Sequence, residues 1–183
     1  MTTTHFINAR LIDPEAGTDT RGHLTVSDGV ITDVSIGDTA PKGPHVIDCA
    51  GRALAPGIVD LGVKVCEPGE RHKESYRSAG RAAAAGCGTT LITRPDTTPA
   101  TDSPEALEFV NRRANEAAPV NVVPMAALTK GREGREMTEI GFLTDAGAAA
   151  FTDCDRVVTD TKVFTRALTY ARSLGALVFA HPL

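Results

Sequence analysis

This 183-residue chain has no Cys-x-x-Cys pair, no surplus of positive charge, no long apolar run and no phosphate-binding glycine motif. Each absence excludes a class of function. Cys49, Cys66, Cys87 and Cys154 stand far apart, whereas zinc ribbons need closely paired ligands. Four reduced thiols, small and buried or half-buried, are expected rather than a disulfide framework. The formal net charge is -4, which leaves no basic footprint for nucleic acid and no polybasic patch for an anionic membrane. No apolar stretch approaches the ~18 residues of a spanning helix. The opening Met1-Thr-Thr-Thr-His5 lacks the charged and apolar regions of a signal peptide, so a cytoplasmic address is expected. With neither the dinucleotide-binding nor the P-loop glycine motif in the sequence, a nucleotide site of those kinds has no support.

What is present is an ordinary globular composition, 42% hydrophobic and 23% charged, enough for a packed core. Two regimes divide it. Residues 1–53 read as a small β module: His5–Ile12, Leu24–Val26 and Val30–Ile36 are β-rich runs, and Val46–Cys49 is a short further strand. Ser27-Asp-Gly29 between two of these runs signals a hairpin, because Gly accepts positive φ without steric cost.

From residue 54 to 183 strand and helix candidates alternate. Pro56–Leu61, Thr89–Thr93, Asn121–Leu128, Ala148–Phe151 and Ala176–Ala180 read as strands. Between them, His72–Ala85 is an Ala-rich helix candidate and Ser103-Pro-Glu105 carries a cap, a first-turn Pro and an acid at the dipole's positive end. Thr138–Ala146 is a short helix, and Val163, Phe164, Ala167, Leu168, Ala171 and Leu174 mark one face of a last helix before Gly175. A repeat of about thirty residues of this kind is what an eight-unit parallel barrel gives. Five strands fit, too few to close one. The open edge they leave is an aggregation liability, so a further half of the molecule or another protein chain is expected beside it.

Several segments, in order along the chain, resemble the dihydroorotase branch of the amidohydrolase superfamily. They are Ala55-Pro-Gly-Ile-Val-Asp-Leu61, Glu67-Pro-Gly-Glu-Arg-His-Lys-Glu74, Arg81–Gly86, Arg94-Pro-Asp-Thr-Thr-Pro99, Ala127–Gly134 and Ala150-Phe-Thr-Asp153. The resemblance implies a (β/α)8 TIM barrel of the amidohydrolase type, represented here by about five strands and preceded by part of a β-sandwich module. It also implies pyrimidine biosynthesis, with zinc-bound hydroxide opening or closing the dihydroorotate ring.

The chain departs from that pattern where the metal would bind. In place of the family's Asp-Leu-His-Val-His it has Asp60-Leu-Gly62-Val-Lys64. Gly62 has no side chain, and the Lys64 ammonium has three donors and no acceptor. Cys66 stands where the family has an Arg that grips the substrate carboxylate. Asp96 replaces the Asn of Met-Pro-Asn-Thr and would set an anion against an anionic substrate. Only Asp153 and His181 match metal-site positions, and two ligands are fewer than the three of a catalytic zinc. No catalytic or cofactor-binding residue is therefore assigned. We expect Lys64 to face Asp153, an ammonium in the charge position left by the metal. His5, His23, His45 and His72 match no ligand position and are expected on the surface or in loops.

The implied function is that of an inactive homologue serving as a structural partner of aspartate transcarbamoylase. The alternatives are an active zinc cyclic amidohydrolase with a rearranged metal site, or an unrelated binding function in the old cleft.

Overall fold

β-rich runs joined by short turns account for the first of two compact units, which divide between Pro56 and Gly57. The structure, a computed structural model, describes residues 2–181. In the first unit β1 (Thr3–Asp13), β2 (Thr18–Ser27) and β3 (Val30–Ile36) form an antiparallel meander. Asp28 and Gly29 join β2 to β3 with φ of 50° and 82°. A two-residue loop matches the twist of its strands with positive φ at both positions, which Asp tolerates and Gly adopts freely. β4 (Val46–Asp48) and β5 (Ala53–Leu54) each pair in parallel with β1. The order is β3-β2-β1-β4, with β5 also on β1.

The expected hairpin is present. The described residues of this unit form a single sheet, and Val30, Ile31, Val34 and Ile36 of β3 are exposed. His23, expected on the surface or in a loop, instead lies in β2 and is 2% exposed. Its Nδ1 accepts the Asn8 N–H at 3.2 Å, and its Nε2 is buried with no protein partner.

In the second unit β6 (Ile58–Val63), β7 (Gly88–Thr93) and β8 (Asn121–Pro124) form a parallel sheet in that order. α1 (Tyr76–Ala85) connects the first pair of strands and α2 (Pro104–Ala117) the second. α3 (Ile140–Asp145) and α4 (Thr161–Ser173) follow. Beyond β8 the sheet continues only as isolated parallel bridges, Ala126 to Phe151 and Phe151 to Val178. The expected strands 148–151 and 176–180 thus shrink to single paired residues, and the expected strand 121–128 stops at Pro124. Pro124 has no N–H with which to extend the ladder. Hydrogen bonds such as Ala149 N–H to the Pro124 carbonyl and Phe179 N–H to the Phe151 carbonyl, both 2.9 Å, hold the segments instead. Five parallel segments lie in sequence, and no closed eight-stranded barrel forms among the described residues.

Local chemistry sets the helix ends. α1 begins after Ser75 rather than at His72, because Ser75 and Ser78 form a reciprocal capping box. Ser103 caps α2 with Pro104 at its first position and Glu105 in its first turn, as the sequence predicts. α3 starts later than Thr138, whose hydroxyl is drawn to the Ala127 carbonyl at 2.8 Å and whose N–H is bound by Leu128. On α4, Ala167 and Ala171 are buried, but Leu168 and Leu174 of the expected face are 39% and 41% exposed.

Two buried clusters support the strand ends. Leu107, Ala126, Leu128, Ile140, Leu143 and Phe151 pack with Ala167 and Ala171 of α4. Val65, Tyr76, Ala79, Leu91, Val110 and Ala114 fill the space between β7, α1 and α2. The buried Glu67 carboxylate joins these layers, accepting the Tyr76 N–H at 3.2 Å and pairing with Arg113 at 3.0 Å.

Candidate functional site

Parallel pairing of β6 and β7 determines which charged groups meet at their ends. Val63 is opposite Thr93, so the residues leaving these strands start as neighbours. Gly62 has φ of +84°, and the register slips between Leu61 and Val63. An irregularity of this kind re-aims the following side chain. Lys64 Nζ lies 3.1 Å from Asp96 Oδ2. Arg94 donates from Nη2 to the same oxygen at 2.9 Å. The Asp96 side chain is 3% exposed, and its Oδ1 has no protein partner. Two cations therefore converge on one buried oxygen. The charge chain extends outward, with Arg94 3.8 Å from Asp155 and Arg132 2.5 Å from the same carboxylate.

Asp153 lies deeper and is used differently. Its Oδ1 accepts the N–H groups of Leu128 and Thr129, each at 3.0 Å, and its Oδ2 accepts the Thr129 hydroxyl at 2.5 Å. Arg132 also donates to the Asp153 carbonyl at 3.2 Å. The expected contact between Lys64 and Asp153 is absent: Lys64 pairs with Asp96, and Asp153 has no ion pair among the described residues. Strand order explains the difference. β7 is the immediate neighbour of β6, whereas Phe151 is three segments away, roughly 14 Å at ~4.8 Å per strand.

A cavity of about 300 Å³ opens beside this cluster, lined in part by Gly62, Arg94, Thr152, Cys154, Asp155 and His181. Gly62 and His181 thus share a cavity. Cys66 is half-buried and is not part of its lining. Burial, and then the charge of Asp96, push the Cys154 thiol above its usual range despite the nearby Arg94. The Asp155 carboxyl is held below its usual range, first by its own backbone N–H and then by Arg132 and Arg94.

A catalytic zinc takes three protein ligands with free lone pairs. Gly62 supplies none, Lys64 is a cation engaged by an anion, and Asp153 is committed to Leu128 and Thr129. Among the described residues no group of three or more His, Cys, Asp or Glu is placed to hold a metal ion. The side chains present do not fit one.

Arg94, Arg132, Cys154 and Asp155 were not legible as site residues from sequence patterns alone. One signal does exist for the first. In the segment that resembles Met-Pro-Asn-Thr, an Arg and an Asp replace the Met and the Asn together, at Arg94 and Asp96. Opposite charges two residues apart suggest a mutual pair, and the structure contains it.

A sequence profile of the Dihydro-orotase-like family matches residues 51–182. The chain is 38% identical over 174 residues to the dihydroorotase of Pelobacter propionicus, covering 95% of this chain and 41% of that protein. It is 40% identical over 184 residues to the dihydroorotase of Anaplasma phagocytophilum, covering 98% and 41%. The chain thus spans about two fifths of the length of these curated relatives. Among solved structures, the L-hydantoinase (dihydropyrimidinase) of Arthrobacter aurescens superposes with a TM-score of 0.82 at 21% identity, over 97% of this chain and 40% of that one. A dihydroorotase crystal structure superposes at 0.61 and 12% identity, over 97% and 50%. At these identities the structural likeness shows the fold alone, an α/β arrangement like part of the amidohydrolase structures.

Proposed function

The chain belongs to the dihydroorotase-like family, and on that premise we propose that it is a noncatalytic member, a structural subunit of cytoplasmic pyrimidine biosynthesis whose partner is aspartate transcarbamoylase. The observation that carries the noncatalytic reading is the use made of the two buried carboxylates. Asp96 is engaged by Lys64 and Arg94, and Asp153 by Leu128 and Thr129. Gly62 supplies no side chain, and among the described residues no donor set remains for a hydrolytic metal.

A structural role is supported by uncovered apolar surface. Ile58, Val59 and Leu61 of β6 are 57%, 54% and 65% exposed at one end of the parallel segments. Leu177 is 56% exposed and Phe179 39% at the other. Contiguous apolar strand edges of this kind favour cover by polypeptide. The cover is a further part of the molecule or a partner chain. The identity of aspartate transcarbamoylase as that partner rests on the family resemblance. Among the described residues no helix is long and apolar enough to cross a membrane.

Two measurements on purified protein test the proposal together: zinc content by mass spectrometry and hydrolysis of dihydroorotate. Substoichiometric zinc and no turnover are expected. Stoichiometric zinc with turnover would establish the rival, an active cyclic amidohydrolase with a rearranged metal site. Copurification with aspartate transcarbamoylase, and loss of the complex on placing Asp at Leu61, tests the partner.

A further inference from the structure

We propose that Lys64, Asp96, Arg94, Asp155 and Arg132 form a clasp of alternating charges that ties together four successive strand ends by side chains alone. It rests on the noncatalytic reading only in taking those ends to be metal-free. Lys64 directly follows β6, and Arg94 and Asp96 directly follow β7. Arg132 sits in the loop after Ala126, and Asp155 in the loop after Phe151. The links between them run Lys64 to Asp96 at 3.1 Å, Asp96 to Arg94 at 2.9 Å, Arg94 to Asp155 at 3.8 Å and Asp155 to Arg132 at 2.5 Å.

A metal bound at strand ends cross-links them by drawing anionic or neutral ligands onto one cation. Here the polarity is inverted, with a buried anion at the centre and two cationic arms, Lys64 from the neighbouring β6 and Arg94 from the same segment as Asp96. Asp96 is the keystone because its side chain is 3% exposed and one oxygen receives both arms. A buried carboxylate is stable only with its partners in place. Without its charge, Lys64 and Arg94 would face each other across the same point. The outer link is weaker, since Asp155 is 71% exposed and solvent screens it. Arg132 strengthens that end by also holding the Asp153 carbonyl, which joins the clasp to the deeper hydrogen-bond cluster.

The test is thermal unfolding of the wild-type chain, Asp96→Asn, Lys64→Gln and the double variant, each in EDTA and in equimolar zinc chloride. The wild-type Tm is expected to be the same in both media. Asp96→Asn should lower it by roughly 6 °C or more, and Lys64→Gln by less, because that ammonium is 53% exposed. The double variant should lose less than the sum of the single losses, since one interaction is removed twice. An Asp96→Asn Tm within about 1 °C of wild type, additive losses, or a zinc-dependent rise in the wild-type Tm would overturn the clasp. Should Asp96→Asn fail to fold, the Lys64→Gln and Arg94→Gln pair tests the clasp with the opposite sign: both cations share Asp96 Oδ2, so removing both should cost more than the sum of the single losses, and additive losses would overturn it. Dihydroorotate turnover with a coupled, zinc-insensitive Tm would sink the noncatalytic reading and leave the clasp standing. Absent turnover with additive losses would do the reverse.

Discussion

The site has two halves, and each buries a carboxylate by different means. At the ends of β6 and β7, Asp96 is neutralised by two full charges from Lys64 and Arg94. In the loops after Ala126 and Phe151, Asp153 is held by two backbone N–H groups and one hydroxyl. The family resemblance implies a departure in the first half and, at Asp153, a match in the second. Three hydrogen bonds suffice to stabilise Asp153 as the organiser of the Leu128–Thr129 backbone, because charge-assisted bonds to a carboxylate are the strong ones.

That contrast can be broken most directly at Asp153. Asp153→Ala leaves the Leu128 and Thr129 N–H groups and the Thr129 hydroxyl without their acceptor in a buried place, at roughly 1–3 kcal/mol each for fully buried groups. A loss of about 3–5 kcal/mol in urea unfolding is expected. That loss should persist in 1 M salt, whereas the loss from Asp96→Asn should shrink because Lys64 is half exposed. Equal salt dependence of the two would erase the distinction between charge pairing and hydrogen bonding.

Placing imidazoles at positions 62 and 64 is the next largest change. Gly62→His with Lys64→His introduces the His-x-His spacing that the family resemblance implies, but it places a side chain at φ of +84°, a left-handed conformation costing about 1–2 kcal/mol. We expect a destabilised protein without stoichiometric zinc, measured by mass spectrometry after dialysis. One bound zinc per chain would show that the backbone at Gly62 readjusts and that the strand ends can hold a metal once the ligands are supplied.

A smaller effect comes from Cys154, whose thiol is pushed up by burial and then by Asp96. The folded state holds this proton more tightly than the unfolded chain. The associated stability is therefore fully present below about pH 8.5, the ordinary thiol value. It is lost as pH rises through the higher folded value. Urea unfolding should weaken in alkali, and Cys154→Ala should flatten that part of the profile. A wild-type decline that Cys154→Ala leaves unchanged would assign it to other groups. The smallest test is one of order. Cys87 is exposed and Cys154 is half-buried, so limited alkylation followed by peptide mapping should label Cys87 first and Cys154 last.

Legibility followed the range of the interactions. Ser103, Pro104 and Glu105 act within one helical turn, and Asp28 and Gly29 within one hairpin, so both features could be read locally. The start of α1 is set by a capping box at Ser75 and Ser78 rather than by the Ala-rich run from His72, and that pattern too lies within one helical turn. The strands around Phe151 and Val178 could not be sized from their apolar runs, because ladder length depends on the donors of the neighbouring segment, and Pro124 supplies none. The burial of His23 depends on the pairing of β2 with β1, which its own short stretch of sequence does not specify.

By itself the sequence determined the family, the hairpin, the α2 cap and the absence of imidazoles at Gly62 and Lys64. Those properties reside in residue identity and in spacing over a few positions. Only the tertiary structure decided which anion Lys64 meets and what occupies Asp153. Both carboxylates are far from Lys64 along the chain, at 32 and 89 positions' remove, and nothing in their identity ranks them. The ranking comes from parallel pairing: β7 lies against β6, Phe151 does not, and a lysine side chain reaches only its neighbour.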